Sequence, residues 1–227
     1  GAFASFMPKP YSDKTGSGAH YNMSLADAET GENLFAPDAG DPYGCGVSEL
    51  GYQFIAGVLK HARAISAVIA PTVNSYKRLV RQGSMSGSTW APVFACYGNN
   101  NRTNMIRIPG VGSRVECRAA DIACNPYLGA ALVLAAGLEG IENAMDAGEP
   151  HRENMYRYSD AEIDEMGVTM LPRTLGEAIT DFAADPLARE VFGEAMFGAY
   201  VDFKQAEWES YHTAVSRWEI ERYLKLF

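Results

Sequence analysis

Charged residues alternate with apolar ones in the segment Arg114-Val115-Glu116-Cys117-Arg118. Side chains two positions apart on a β-strand share a face, so this segment would place one carboxylate between two guanidinium groups. Taken alone, the pattern fits a salt-bridged surface row as well as it fits a functional site.

The segment from Gly18 to Leu25 shows the same division of polar and apolar positions. His20, Asn22 and Ser24 would share one strand face, and the residues between them are apolar. When such a polar face stands alone, it usually meets solvent.

Arginine is concentrated in one part of a chain whose net charge is -9. Five of its arginines are candidates for one site and fall within 41 residues: Arg78, Arg102, Arg107, Arg114 and Arg118. Guanidinium groups bind phosphate and carboxylate through paired hydrogen bonds, and imidazole with carboxylate suits a divalent metal, although one His and one Glu do not complete a site. If the strands are neighbours in one sheet, these groups line one cavity suited to phosphoryl transfer, in which charge builds up on the transferred oxygens.

Strands and helices must position these side chains. Short apolar or alternating segments predict strands over 2–8, 18–25, 93–98, 104–108 and 114–118. Helical spacing and capping residues predict helices from Ser48 to about Ile69, from Asn125 to about Met145, and near 174–184, 187–195 and 198–226.

Two features of these predicted helices have structural interpretations. His61 falls on the apolar face of the first helix and is interpreted as a satisfied core histidine. Trp208, Tyr211, Val215 and Trp218 are spaced as an apolar stripe in the last helix, which is typical of a core or a subunit interface.

Composition excludes several classes of function. The chain is 47% hydrophobic, which suffices for a sizeable core, and its acidity argues against nucleic-acid binding. The longest uncharged apolar stretch contains Asn125 and Pro126 and is too short to span a bilayer, so no membrane partner is expected. The four cysteines form no CxxC pair, which favours reduced thiols and a cytoplasmic location.

Six segments resemble glutamine synthetases, in the same order along nearly all of residues 1–150. They are Phe6-Met7-Pro8-Lys9-Pro10, Gly16-Ser17-Gly18-Ala19-His20, Pro71-Thr72-Val73-Asn74-Ser75-Tyr76-Lys77-Arg78, Asn101-Arg102-Thr103 with Arg107-Ile108-Pro109, Val115-Glu116-Cys117-Arg118, and Asn125-Pro126-Tyr127-Leu128 leading to Ala136-Gly137-Leu138-Glu139-Gly140-Ile141. Each is short, but six in sequence are highly specific. The resemblance implies an α+β fold, with a curved antiparallel sheet backed by helices.

The resemblance also implies a role for each matching residue. His20 and Glu116 match metal ligands, for Mg²⁺ or Mn²⁺, beside the transferred phosphate. Gly16, Arg78 and Arg118 match contacts to substrate glutamate. Positions that match contacts to ATP are Ser24, Arg102, Arg107 and Arg114, with Arg102 nearest the γ-phosphate and in the catalytic role. The implied reaction moves the γ-phosphate of ATP to the side-chain carboxylate of glutamate, and an amine then displaces phosphate.

One departure from the family pattern concerns the amine. Glutamine synthetases proper carry a glutamate before an Ala-Pro pair, and here Trp90 precedes Ala91-Pro92. An indole accepts no proton but can line an apolar pocket or sit over a cation, which favours an alkyl- or arylamine over ammonium. Ser86-Gly87-Ser88-Thr89-Trp90 resembles the γ-glutamylmethylamide synthetase branch. Asn22, where many members carry His, and Thr15, where many carry Asn, are further departures.

The resemblance predicts how the chain is organised. Residues 1–227 would be the C-terminal catalytic domain of a longer protein, with the catalytic sheet and helices over 1–145 and a helical tail over 146–227. The N-terminal domain would be absent, and this chain alone would be inactive. The family forms rings, commonly of twelve subunits. Tyr156 aligns with a tyrosine that some bacterial members modify with AMP, and no such modification is predicted here.

Three other functions remain as alternatives. The first is a glutamine synthetase proper that uses ammonia. The second is a non-catalytic family member used for assembly or sensing, which would not need His20, Glu116 and five arginines. The third is a guanidino kinase, which the glutamate-contact motifs around Arg78 and Arg118 disfavour.

Overall fold

The computed structural model describes residues 1–37, 41–81 and 90–227. Its five strands are β1 (Tyr21–Met23), β2 (Phe94–Asn99), β3 (Asn104–Ile108), β4 (Val115–Cys117) and β5 (Thr169–Met170). Seven helices accompany them in the described ranges: α1 (Glu49–Lys60), α2 (Ala62–Ile69), α3 (Pro126–Glu142), α4 (Asp160–Glu165), α5 (Leu175–Ala184), α6 (Pro186–His212) and α7 (Arg217–Tyr223). Two 3₁₀ turns cover Ser75–Lys77 and Met155–Arg157.

The strands form one sheet in the order β1-β4-β3-β2-β5. Three neighbouring pairs are antiparallel, whereas β2 and β3 pair in parallel. The predicted α+β class is confirmed, and the sheet is mixed rather than wholly antiparallel. β5, at residues 169–170, adds a strand from the region predicted as a helical tail.

Helices α1 and α3 lie against each other at unusually close range. A Cβ on Gly57 would stand 1.9 Å from the carbonyl oxygen of Ala136, and one on Gly140 would stand 2.1 Å from that of Gln53. Only glycine allows the two backbones this approach. The helices and the sheet enclose one main core, whose largest fully buried side chains include Phe35, Phe54, Tyr97, Ile106 and Leu132.

Several element boundaries differ from the prediction. The segment 2–8 is not a strand. The first helix is divided at His61, which ends α1 and begins α2 with φ −97° and ψ 8°. α6, from Pro186 to His212, consists of two helical segments that meet at Gly193, where φ is 67° and ψ is 154°, a few residues before the break predicted between 195 and 198.

The predicted aromatic stripe does not lie on one helix. α6 ends at His212 and α7 begins after the Ser216 N-cap, so Val215 falls between them. Trp208 packs against the main core, whereas Trp218 is exposed on α7. The helical spacing of the aromatic residues therefore continues in the sequence from α6 into α7, although the helix itself ends between them.

His61 is a buried histidine with both ring nitrogens engaged, as predicted. Its Nδ1 lies 2.7 Å from Asp185 Oδ2, and its Nε2 contacts Glu139. Among the described helices, none is both long enough and apolar enough to cross a membrane.

Candidate functional site

Strands β1 and β4 carry the predicted polar face. Their antiparallel register places Asn22 opposite Glu116, and the β3–β4 register places Arg107 on the other side of Glu116. The two segments identified by their alternation are therefore neighbours, which is the condition on which the sequence analysis made a shared cavity depend. The apolar partners on the opposite face, Val115 and Cys117, are fully buried in the main core.

Glu116 is the centre of the charged groups on this face. Its Oε1 lies 3.0 Å from His20 Nδ1, and its Oε2 accepts hydrogen bonds from Arg107 Nη1 at 2.8 Å and Arg118 Nη1 at 3.2 Å. Burial alone would raise the pKa of Glu116, but the arginine hydrogen bonds and charges outweigh it and hold that pKa below its ordinary value. The carboxylate therefore stays ionised at neutral pH.

His20 is the partly exposed member of this group, with 33% of its side chain accessible. Burial and the positive charge of Arg118 hold the pKa of His20 below its ordinary value, in spite of the Glu116 carboxylate. A neutral imidazole that donates Nδ1–H to Glu116 keeps a lone pair on Nε2.

Neutral imidazole and ionised carboxylate are the forms that bind a divalent metal, so His20 and Glu116 fit Mg²⁺ or Mn²⁺ in ligand type. They supply two of the roughly six ligands that such an ion takes. Within the described ranges, no group of three or more His, Cys, Asp or Glu is placed to hold a metal. His20 and Glu116 alone would therefore supply only part of the ligand set of such an ion.

Arg118 links the Glu116 carboxylate to the backbone at Trp90. It is 5% exposed, and its Nη2 donates to the carbonyl of Trp90 at 3.1 Å. Its Nε is buried and has no acceptor among the described residues. A buried donor without a partner is costly, so this nitrogen suits a ligand carboxylate oxygen.

Arg78 is buried behind Arg118, and its guanidinium is largely used by the backbone. Nη1 donates to the Ala119 carbonyl at 2.8 Å, and Nη2 donates to the carbonyls of Arg118 and Ala120, each at 3.0 Å. Arg78 therefore holds the segment that follows β4, and with it Arg118, in place. Burial holds its pKa below the usual range for arginine.

A cavity of about 250 Å³ lies beside these groups. It brings together five of the residues predicted for the site: Gly16, His20, Arg78, Trp90 and Arg118. A Cβ on Gly16 would stand 2.7 Å from the carbonyl oxygen of Pro8 and 3.0 Å from Arg78 Cγ, so a larger residue would displace the wall. Lys9, Thr15 and Ala91 also line the cavity and were missed as site residues, although Lys9 stands in a segment that resembles the family.

The four positions predicted to contact ATP lie outside that lining. Arg107 donates to Glu116 and to Asn100, and Arg114 Nε donates to Asn22 Oδ1 at 3.0 Å. Asn22, one of the departures from the family pattern, thus holds Arg114 in place. Arg102 is exposed between β2 and β3, and Ser24 is exposed just after β1.

Trp90 is 57% exposed at the mouth of the cavity. Arg118 engages its backbone carbonyl and not its indole. The rest of the Ser86–Trp90 motif, residues 86–89, lies outside the described residues.

Comparisons with known proteins agree on one family. The model of the glutamine synthetase catalytic domain matches residues 1–223. A glutamate–methylamine ligase of Methyloversatilis universalis is 45% identical over all of this chain and half of its own length, and a glutamine synthetase of Halobacterium salinarum is 44% identical over 99% of this chain and 48% of its own length. A solved GmaS/ADP complex superposes with a TM-score of 0.85 at 41% identity, over 97% of this chain and 49% of that one. The chain spans about half the length of the curated relatives it matches.

Proposed function

On the premise that this chain belongs to the glutamine synthetase family, in its catalytic domain, we propose that the complete natural protein is an ATP-dependent ligase that joins an amine to the γ-carboxylate of L-glutamate. The observation that carries the proposal is the buried Glu116 carboxylate, held by His20, Arg107 and Arg118 beside the cavity. It combines a partial metal site with phosphate- and carboxylate-binding groups. The similarity to a glutamate–methylamine ligase and to a GmaS/ADP complex supports the same reaction.

The reaction has two steps. A γ-carboxylate oxygen of glutamate attacks the γ-phosphorus of ATP and ADP leaves, which gives a γ-glutamyl phosphate. The amine nitrogen then attacks the acyl carbon, phosphate leaves with the C–O electron pair, and nitrogen loses a proton. A bound Mg²⁺ or Mn²⁺ would neutralise charge on the phosphate oxygens.

The residues of this chain bind and orient the substrates. His20 and Glu116 hold their side of the metal. Arg118, whose Nε has no acceptor within the described ranges, binds a glutamate carboxylate together with Arg78, and Gly16 shapes the wall on which glutamate lies. Arg102, Arg107, Arg114 and Ser24 contact the nucleotide, and Arg102 stabilises the transferred phosphoryl group.

Trp90 sets the preference for the acceptor in this proposal. Its exposed indole can cover the alkyl part of an amine or contact its ammonium form, and it offers no carboxylate for ammonium. The acceptor is accordingly an alkyl- or arylamine.

The alternative acceptor is ammonia, as in glutamine synthetase proper. The identities of 45% to a methylamine ligase and 44% to a glutamine synthetase are too close to separate the two. Because the family forms rings, we also propose that the complete protein is a homo-oligomer. The alternative to a ligase is a non-catalytic family member that serves only in assembly.

An amine panel on the complete natural protein tests the proposal. Phosphate release with ATP, Mg²⁺ and glutamate is measured with ammonium, methylamine, ethylamine and an arylamine. We expect an organic amine to give the highest kcat/KM, and Trp90→Glu to shift the preference toward ammonium, with Trp90→Gln as the matched control because it removes the indole without adding a carboxylate. Ammonium ahead of every organic amine would overturn the proposed acceptor, and no binding of ATP with Mg²⁺ would overturn the ligase itself.

A further inference from the structure

Tyr156 contacts the wall of the cavity from outside. Its hydroxyl donates to the carbonyl of Ala91, and Ala91 lies in the lining next to Trp90. The carbonyl of Trp90 in turn accepts from Arg118 Nη2 at 3.1 Å. The short segment Trp90–Ala91 is thus held on one side by Arg118 and on the other by Tyr156.

Tyr156 is itself held firmly. Its ring packs against Phe94 of β2 with ring centroids 6.2 Å apart, and the residue before it, Met155, is fully buried in the same small cluster. Asn154 Oδ1 accepts from the Tyr156 backbone N–H at 3.1 Å and begins the 3₁₀ turn. Burial raises the pKa of Tyr156 to about 12, so the hydroxyl remains a donor at neutral pH.

The same segment is also bonded to the residues around Arg102. Asn101 Nδ2 donates to the carbonyls of His151 at 2.9 Å and Glu153 at 2.7 Å. The backbone N–H of Met155 donates to Thr103 Oγ1 at 3.2 Å. Residues 151–156 therefore connect the loop that carries Arg102 with the loop that carries Trp90.

We propose that Tyr156 is a positioning residue for the amine: its hydroxyl fixes the Ala91 carbonyl, and through it the placement of Trp90 over the cavity. The inference rests on the proposed function, since Trp90 is the residue assigned to the acceptor. Tyr156 touches no reacting atom in this role. Its contribution appears in the KM for the amine, because glutamate and ATP are held by other groups.

Tyr156→Phe in the complete natural protein is the test, because it removes the hydroxyl and keeps the ring packed on Phe94. The matched control is Tyr158→Phe, since Tyr158 packs against the same small cluster and no hydroxyl hydrogen bond is seen for it among the described residues. Losing one hydrogen bond that positions the wall should raise the KM for the best amine about 3- to 10-fold. The kcat and the KM values for ATP and glutamate should change less than about 2-fold.

Comparing single and double variants separates a role of Tyr156 in positioning Trp90 from a general loss of rigidity in the protein. If Tyr156 acts through Trp90, Tyr156→Phe should add little to the amine KM of Trp90→Ala. Equal amine KM values for Tyr156→Phe and Tyr158→Phe would overturn the inference, and so would a fall in kcat together with a rise in all three KM values. In either case the wild-type protein still ligates glutamate to an amine, so failure of the inference is distinguishable from failure of the proposed function.

Discussion

Two clusters in this chain join a histidine to carboxylate groups, and they differ in the charge that surrounds them. At the cavity, His20 and Glu116 are accompanied by Arg107 and Arg118. At the junction of α1 and α2, His61 lies between Asp185 and Glu139. Burial lowers the pKa of both imidazoles, and the charge of Arg118 lowers that of His20 further, whereas the hydrogen bonds with Asp185 and Glu139 outweigh burial and raise the pKa of His61. The arginines hold the pKa of Glu116 below its ordinary value in spite of burial.

The comparison teaches that neighbouring charge decides what the same residue types do. A neutral imidazole beside an ionised carboxylate can accept a metal or a substrate. A cationic imidazole between two carboxylates has both nitrogens occupied and joins helices instead. Asp185 caps α6, Glu139 belongs to α3, and His61 therefore connects these two helices to the α1–α2 junction.

The largest expected effect is on activity at the first cluster. Glu116→Gln in the complete natural protein should lower kcat/KM about 1,000-fold or more, because the neutral amide loses the charge that the metal requires. The amide oxygen still accepts from the arginines, so the free energy of unfolding should fall by only about 1 kcal/mol. Phosphate release and urea denaturation measure the two quantities, and near-wild-type activity would remove Glu116 from the site.

The second effect is on stability at the other cluster. His61→Leu should lower the free energy of unfolding by about 2–3 kcal/mol, because it leaves Asp185 and Glu139 partly buried without their shared partner. The kcat of the folded enzyme should be unchanged, since neither Asp185 nor Glu139, the hydrogen-bonding partners of His61, belongs to the described lining of the cavity. His212→Leu is the exposed control, and a loss there as large as at His61 would show that burial is not the cause.

These clusters also show what the sequence could and could not predict. Strand parity alone grouped Glu116 with Arg114 and Arg118 on one face and His20 with Asn22 and Ser24 on another, because alternation is a local property of the chain. Helical spacing identified His61 as a core residue for the same reason. Its partners could not be predicted, because Glu139 is 78 residues away and Asp185 is 124 residues away in sequence.

Other features depended on tertiary geometry in the same way. Arg78, predicted to contact a glutamate carboxylate, also donates to three backbone carbonyls of residues 118–120, a contact that the sequence analysis did not predict. Residue types do not reveal which backbone carbonyls a side chain will reach, so these hydrogen bonds could not be predicted. The parallel pairing of β2 and β3 was missed because strand patterns do not show direction, and the break at His61 was missed because apolar spacing continues across it.

The third prediction concerns pH. The hydrogen bonds with Asp185 and Glu139 outweigh burial and raise the pKa of His61 above its ordinary value of 6.5. The stability that His61 contributes is therefore fully present below pH 6.5 and is lost as pH rises through the raised pKa of the folded state. The difference in unfolding free energy between wild type and His61→Leu should shrink across that range. A difference that grows with pH would contradict the assignment of a cationic His61.

The smallest effect is expected at Lys60, which shares Glu139 with His61. Its Nζ lies 2.6 Å from Glu139 Oε1, but half of the lysine side chain is exposed, against 4% of the His61 side chain. An exposed ion pair is screened by water and salt, so Lys60→Met should lower the free energy of unfolding by at most about 0.5 kcal/mol. Urea denaturation of Lys60→Met and His61→Leu at low and high salt compares how much each of the two cations that pair with Glu139 contributes to the free energy of unfolding. If the lysine variant lost as much stability as the histidine variant, the charge on Glu139 rather than the burial of its partner would control this junction.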